Sequence, residues 1–277
     1  SQKKVEAAST GKLSVTGYQD YSDAQKILKE VNKYRKKNGR KALKMDRGLT
    51  NSAIMRGFET TIYIPETSPH RRPNGKLSKS INKKIIYENC AQSAGTTPKQ
   101  IVKGWINSST HRKGLLLSNA KSVGVAAVTV VSRDGYEANT WVLDFSSSKA
   151  KKVEKSKARK QFTKNIVTKN SYLKKSYLKL DSRYGTIWET EKMQMKPTYQ
   201  GKMMKEYGVY PTVINTSSFT SWKSSNPSVA SVDSNGRITG NKAGTATISA
   251  KLKTGTKITI SKKIKVVPTN QQIDPWE

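Results

Sequence analysis

The stretch GWINSSTHRKGLL (residues 104–116) joins the end of a predicted helix to a histidine, and the sequence on either side of it indicates the fold of the first half of the chain. Just before it, Thr97, Pro98 and Gln100 match a capping box with proline at the first helical position. A helix that begins there would bury the apolar residues at helical spacing, which are Ile101, Val102, Trp105 and Ile106.

Two further helices are predicted upstream of this stretch and a β-hairpin downstream. Ser22 and Gln25 have capping-box spacing, and apolar residues then recur every three or four positions. A second helix is predicted near residues 49–60. Asp134-Gly135 is a turn signal between two β-rich runs, the second of which ends at Phe145. Helices followed by paired strands indicate the fold class α+β.

The second half of the chain has no helical periodicity. Short alternating runs are separated by turn signals such as Asn235-Gly236, a pattern typical of a β-sandwich. The predicted strands are 172–180, 193–195, 209–214, 230–232, 245–250 and 258–267.

These patterns divide the chain into five segments. They are a flexible lead-in (1–20), an α+β domain (21–147), a basic linker (148–161), an all-β domain (162–268) and a tail (269–277). The linker prediction rests on KAKKVEKSKARK (149–160), in which Glu154 is the one acidic residue. A polyanion-binding tether is the alternative interpretation of this run.

The charge of the chain points to anionic partners. Lys and Arg number 52 against 19 Asp and Glu, which gives a formal net charge of +33 at pH 7. Because no nucleic-acid-binding motif accompanies this charge, we expect anionic cell-wall or host polymers, or an extracellular protein or peptide, rather than nucleic acid. No apolar run is long enough for a transmembrane segment. A single cysteine, Cys90, excludes an internal disulfide framework.

His70 and His111 are the two histidines of the chain, and Glu88 lies between them. Two unrelated surface histidines would fit this spacing as well as a common site would. If the three side chains converge, they could hold zinc or another divalent metal, or serve as the catalytic group of an acid–base mechanism. Cys90 is a candidate nucleophile, although an inert, apolar-site thiol is the simpler interpretation.

The region 27–145 resembles a CAP (SCP-like) domain, from the superfamily that includes cysteine-rich secretory proteins, antigen 5 and plant pathogenesis-related proteins. The resemblance is to its bacterial extracellular branch. It is carried by six fragments in the family's order: VNKYRKKNGRKAL (31–43), HRRPNG (70–75), YENCA (87–91), GWINSSTHRKGLL (104–116), VGVAAV (123–128) and WVLDF (141–145).

This resemblance implies an α-β-α sandwich with a central cleft, lined by two histidines that can hold a divalent metal and by two glutamates. The histidines correspond to His70 and His111, and the first glutamate corresponds to Glu88. The second glutamate has no counterpart, since its expected place holds Ile106-Asn107-Ser108, where Asn107 would be a neutral substitute. Two other departures from the family are Cys90 and the lead-in IYIPETSP (62–69).

The segment SWKSSNPSVASVDSNGRITGNKAGTATISA (221–250) resembles a bacterial Ig-like domain of group 2. The resemblance implies an Ig-like sandwich with Trp222 in its core. Domains of this kind usually act as spacers or adhesive modules in bacterial surface and secreted proteins.

Residues and resemblances together predict a protein secreted by a Gram-positive bacterium and held at an anionic wall by its charge. We expect an extracellular binding module in which His70 and His111 bind a metal and Glu88 orients a histidine or acts as a third ligand. A metal-dependent, peptidase-like hydrolase using the same cleft and a lipid- or sterol-binding protein are the alternatives. Binding is favoured over an enzymatic role, which stays open.

Overall fold

The computed structural model of the chain describes residues 9–62 and 70–273. Residues 1–8 of the predicted lead-in, most of the IYIPETSP segment and the end of the predicted tail lie outside these described residues. The chain divides into two compact units. We call Thr16–Val131 with Glu137–Lys164 the N-terminal unit, and the described residues 9–15, 132–136 and 165–273 the C-terminal unit.

The first part of the chain combines helices and strands in the order expected for an α+β fold. In chain order the elements are β1 (Thr10–Asp20), α1 (Tyr21–Lys37), β2 (Lys44–Met45), α2 (Arg47–Ile62), β3 (Ile85–Ser93), α3 (Pro98–Asn107), α4 (Ser109–Leu115), β4 (Ser122–Val131), β5 (Glu137–Ser146) and β6 (Arg159–Lys169). A short 3-10 helix, Ser78–Ile81, precedes β3.

A single sheet with the strand order β3-β5-β4-β1-β6 carries these helices, and β2 pairs in parallel with β4. On β4, Val123, Val125 and Ala127 pack in the cluster that contains the buried residues of α1 and α3. The alternate residues Gly124 and Val128 lie against α2. Helices therefore cover both faces of the sheet, and the predicted α-β-α sandwich is confirmed.

The helix signals are mostly confirmed. Thr97 and Gln100 form the complete capping box at the start of α3, with Pro98 as its first residue. Helix α1 begins earlier than its predicted cap, because Asp20 is the N-cap residue and its carboxylate accepts a hydrogen bond from the Asp23 N–H at 2.9 Å.

Residues 10–20 correct the predicted flexible lead-in, because they form strand β1. Gln19 pairs with Val128 of β4, and its buried side chain donates to the Val125 carbonyl and accepts from the Ala127 N–H. The strand pairs with residues more than 100 positions away, so its polar composition gave no local sign of order.

The predicted basic linker (148–161) is corrected as well. Residues 149–158 are held against the start of α2 by backbone hydrogen bonds, of which one joins the Glu154 N–H to the Met45 carbonyl at 2.9 Å. The last residues of the segment belong to β6. We call residues 149–160 the basic strap.

The C-terminal unit is built from short strands in two sheets. Its elements are β7 (Leu178–Ser182), β8 (Thr186–Trp188), β9 (Lys192–Tyr199), α5 (Lys202–Glu206), β10 (Thr212–Val213), β11 (Phe219–Ser224), β12 (Ala230–Val232), β13 (Arg237–Gly240), β14 (Gly244–Leu252) and β15 (Thr259–Val267). One sheet has the order β10-β9-β13-β12 with β7 beside β9, and the other has the order β11-β14-β15-β8.

Sequence patterns located three strands of this unit closely. Strand β12 has the predicted bounds, and β14 and β15 agree with prediction to within two residues. The strand predicted at 172–180 begins only at Leu178, because 3-10 helices at Asn170–Tyr172 and Lys175–Tyr177 precede it. Trp222 is half-buried and packs edge-on against Phe219, with ring centroids 6.4 Å apart.

A substitution at Gly124 tests how closely α2 packs against the sheet. A Cβ at this position would lie 2.2 Å from the Leu49 carbonyl oxygen, so Gly124→Ala must push the helix backbone away. We expect a loss of roughly 1–3 kcal/mol in the free energy of unfolding. Gly104→Ala in α3 is the matched control, because its added methyl meets nothing within 4 Å. The control should be neutral or slightly stabilising in urea unfolding. Equal effects of the two variants would contradict this packing.

Candidate functional site

Strand β3 forms one edge of the sheet and carries Glu88 and Cys90 on the same face, because alternate residues of a strand point the same way. The Glu88 carboxylate and the Cys90 thiol are buried, although the Cys90 residue as a whole is partly exposed. Asn89 points to the opposite face, where its side-chain amide donates to the His111 carbonyl at 3.0 Å. The YENCA fragment thus contacts both histidine-bearing segments.

Helix α2 supplies the cation that fixes Glu88. The fully buried Arg56 guanidinium donates to both Glu88 oxygens, with Nε–Oε2 2.9 Å and Nη2–Oε1 3.1 Å. Its Nη1 donates to Glu59 Oε2 at 2.8 Å, and Arg72 Nε donates to Glu59 Oε1 at 2.8 Å. Two arginines and two glutamates therefore form one continuous network. The bidentate geometry leaves Glu88 little rotational freedom.

His70 joins the network through Glu88. Its Nδ1 lies 3.0 Å from Glu88 Oε1, and the side chain is 39% exposed. The Cys90 thiol donates to the same carboxylate oxygen at 3.1 Å. Ligand atoms of His70, Glu88 and Cys90 all lie within 4.8 Å of one another. The structure therefore brings together three of the residues that the sequence singled out.

His111 lies on helix α4 and is not among the three residues whose ligand atoms converge in the described part of the chain. Its Nδ1 lies 2.9 Å from the Ser108 hydroxyl. The pKa of His111 is lowered, first by burial of the ring and second by the charge of nearby His70. The lowered pKa favours the neutral imidazole, which is the form that binds metals.

The pKa of Glu88 determines whether this carboxylate can accept a proton at neutral pH. Burial alone would raise its pKa, but the hydrogen bonds from His70 and Arg56 and the Arg56 charge outweigh burial and lower the pKa to about 2. Glu88 is ionised at neutral pH, and both of its oxygens are already engaged. Burial, followed by the Glu88 charge, raises the pKa of Cys90. Cys90 is therefore a neutral thiol rather than a thiolate nucleophile.

Asp144 is an unpredicted member of the site. It pairs with Glu88 in the β3–β5 register and is fully buried. Neither carboxyl oxygen has a hydrogen-bond partner among the residues that the structure describes. Burial first, and the neighbouring Glu88 carboxylate second, raise the pKa of Asp144. Both effects favour the protonated form of Asp144.

Four residues of the site escaped sequence reasoning: Arg56, Glu59, Arg72 and Asp144. The i,i+3 spacing of Arg56 and Glu59 on a helix with an apolar face was the one available signal. Asn107, expected as a neutral substitute for the second glutamate, ends α3 with an exposed side chain. The second buried carboxylate beside Arg56 is Glu59, which comes from a different helix.

Comparison with known proteins agrees with this architecture. Residues 28–145 match the cysteine-rich secretory protein family (CAP), and residues 200–264 match the bacterial Ig-like domain, group 2. The chain carries a CAP domain followed by a bacterial Ig-like domain. Among the described residues, no helix has both the length and the apolar character needed to span a bilayer.

A curated relative matches just under half of the chain. The uncharacterized protein YkwD of Bacillus subtilis (strain 168) is 31% identical over 130 residues, which are 46% of this chain and 48% of YkwD. The chain thus spans about half the length of that curated relative.

Two solved structures cover a similar share of the chain. An extracellular protein containing a SCP domain from Bacillus anthracis str. Ames is 18% identical over 44% of this chain and 41% of its own, with a TM-score of 0.33. An outer surface protein of Borrelia burgdorferi is 16% identical over 47% of this chain and 98% of its own, with a TM-score of 0.36.

The Arg56 network makes a stability prediction. Arg56→Met leaves the buried carboxylates of Glu59 and Glu88 without their shared cation, so we expect a loss of roughly 3–5 kcal/mol in the free energy of unfolding. Arg47→Met on the same helix is the control. Arg47 is partly exposed, and its partner Glu154 keeps a hydrogen bond from the Ser156 N–H. The control should cost about 1 kcal/mol or less in urea unfolding. A loss below that of the control would refute the network's role.

Asp144 predicts an unusual pH dependence. Above the usual aspartate pKa of 3.8, the unfolded chain releases this proton while the folded chain retains it, so stability falls as the pH rises. Asp144→Asn should therefore raise the free energy of unfolding at pH 7 by about 1 kcal/mol or more, and by less below pH 3.8.

Asp46→Asn is the control with the opposite sign. Burial would raise the pKa of Asp46, but backbone N–H groups, including those of Leu49 and Lys151, lower it. Its replacement should destabilise the protein at pH 7, because the hydrogen-bonded carboxylate is lost. Urea unfolding of the two variants at pH 7 and at pH 3.5 measures both effects. If Asp144→Asn were as destabilising as Asp46→Asn at pH 7, a protonated Asp144 would be ruled out.

Proposed function

We propose that this protein is an extracellular binding module whose CAP cleft holds a divalent metal, with zinc as the first candidate, through His70 and His111. The supporting observation is the anchoring of the two rings. Nδ1 of His70 lies 3.0 Å from Glu88 and Nδ1 of His111 lies 2.9 Å from the Ser108 hydroxyl, so a neighbouring oxygen orients each ring. A carboxylate that fixes a histidine in this way is the usual outer partner of a metal-bound imidazole.

The donor set fits zinc in kind and in protonation. Imidazole nitrogen is a preferred zinc ligand, and the lowered pKa of His111 keeps it neutral. Glu88 acts as an orienting carboxylate in this proposal rather than as a third ligand, since Arg56, His70 and Cys90 already occupy its oxygens. A bound metal would supply Lewis acidity toward a carbonyl, carboxylate or phosphate group of a partner.

The hydrolase alternative is less well supported by the same geometry. It requires Glu88 to act as a general base, but a carboxylate with a pKa of about 2 binds a proton too weakly for that role at neutral pH. Cys90 has a raised pKa and is no better as a nucleophile. The third alternative, a lipid or sterol carrier, gains no support from the polar side chains at this site. We therefore propose binding rather than turnover.

Location and partners are proposed by analogy and charge. The neighbour from Bacillus anthracis is described as extracellular, and we propose the same location for this chain, with the Ig-like domain as a spacer or adhesive module. A net charge of +33 supports anionic wall or host polymers as partners.

Zinc titration by calorimetry near pH 7.5 tests the metal site. Wild type should bind one zinc ion, and His70→Ala with His111→Ala should abolish saturable binding. Glu88→Gln should weaken binding by about 10–100-fold, because the His70 ring loses its fixed partner. A thermal melt of each variant separates lost binding from lost folding.

Asn107→Ala is the control for this titration. Its exposed side chain lies at the end of α3, within four residues of His111, and should not matter for zinc. Unchanged binding in the double histidine variant, or no saturable binding in wild type, would overturn the metal proposal.

A further inference from the structure

The basic strap follows a fixed path along the N-terminal unit. The Arg47 N–H donates to the Lys152 carbonyl at 2.8 Å, and the Tyr21 N–H donates to the Ala158 carbonyl at 2.9 Å. Between these points the Gln25 side chain donates to the carbonyls of Glu154 and Ser156. A run with the composition of a flexible tether is therefore anchored to the starts of both α1 and α2.

The anchored strap buries its acidic side chain and exposes its basic side chains. Glu154 is 7% exposed and turns inward, where its carboxylate accepts from Arg47 Nε at 2.9 Å. All seven basic residues of KAKKVEKSKARK are exposed. The charged side chains of the strap that face solvent are therefore all positive, and their arrangement is fixed. Binding of a polyanion would stabilise such a surface.

Strand β6 extends this surface beside a cavity. Lys160, Phe162 and Lys164 alternate along the strand and share a face, and the two ammonium groups lie 5.2 and 5.0 Å from the centre of the Phe162 ring. The three side chains line a cavity of about 450 Å³ together with Tyr21, Arg47, Asn51, Ser156 and Glu154, whose carboxylate is paired with Arg47. The cavity thus combines an aromatic ring, polar groups and an excess of positive charge.

Protection of a sheet edge does not account for these features. Strand β6 is the last strand of its sheet, and lysines on an edge strand discourage pairing with other chains. That role requires neither an aromatic ring between the lysines nor a cavity beside them.

We propose that the basic strap and the β6 cavity bind an acidic polysaccharide. One charged sugar ring would lie against Phe162 between Lys160 and Lys164, and further negative groups of the polymer would lie along the strap. Aromatic and polar side chains are suited to the face and the hydroxyl groups of a sugar, while lysines act as point charges that tolerate a flexible polymer. This inference rests on the anionic-polymer partner proposed above and gives it a site.

Heparin, as a sulfated polysaccharide probe, tests the site by titration at two salt concentrations. Lys160→Gln with Lys164→Gln should weaken heparin binding by about tenfold or more. The control, Lys36→Gln with Lys37→Gln, removes the same charge from exposed positions at the end of α1 and should change affinity by less than about twofold. Equal losses in the two double variants would show attraction by net charge alone and overturn the proposal.

Phe162→Leu separates a sugar from other polyanions. It keeps an apolar side chain but removes the ring, so heparin affinity should fall by about threefold to tenfold while inorganic polyphosphate affinity stays unchanged. Duplex DNA that binds as tightly as heparin, with the same response to the variants, would overturn the saccharide assignment in favour of nucleic acid. No effect of Phe162→Leu on heparin, in a variant with a wild-type melt, would also overturn it.

Zinc titration of the Lys160/Lys164 variant keeps this test separate from that of the cleft. The cleft lies at β3 and the proposed polymer site at β6, which are the two ends of the strand order. Loss of heparin binding with intact zinc binding supports the polymer site. Intact heparin binding in that variant overturns the polymer site and leaves the metal proposal standing.

Discussion

The buried Arg56 guanidinium is the charge on which the arrangement of the cleft depends. Glu59 and Glu88 both take hydrogen bonds from it, and the network ends at Arg72 on one side and at His70 on the other. Removing such charges from water costs several kcal/mol each, which is offset only when every one of them is paired. The pKa of Asp144, a carboxyl buried without a pairing cation, is accordingly raised. The balance requires each ionised carboxylate to stay where its arginine holds it, so the fold itself fixes the positions of Glu59 and Glu88.

The hydrogen bonds that fix the position of Glu88 also lower its pKa and therefore its basicity. A carboxylate with a pKa of about 2 orients the His70 ring well but accepts a proton poorly. The same ion pair that would make the site a precise holder of a ligand therefore makes it a weak acid–base catalyst. Cys90 follows the same logic, since its hydrogen bond to the Glu88 carboxylate and its burial keep it a thiol. The local chemistry therefore favours the proposed binding role over acid–base or nucleophilic catalysis.

Local signals predicted the parts of the fold that depend on local interactions. The capping box of α3 and the hairpin of β4 and β5 involve residues close in sequence, and both were identifiable. The contact of His70 with Glu88 is not local, and only the order of the six family fragments indicated it. Arg56 contacts Glu88 across 32 positions, and nothing in the RGFE run says which strand lies opposite. Strand β1 and the basic strap were misjudged for the same reason, because their order comes from distant partners while their composition is that of mobile chain.

The basic strap shows why composition alone misleads about mobility. Its backbone hydrogen bonds go to Met45, Arg47 and Tyr21, which belong to elements that are ordered for other reasons, so its own side chains need not contribute to folding. The lysines therefore face solvent, while the one acidic residue, Glu154, is buried and pairs with Arg47. A mobile tether would present the same charges at changing distances, and a polymer would have to order it on binding. On a fixed strap that ordering has already occurred during folding. The fold then sets the spacing of the charges, and this spacing can select one polyanion over another.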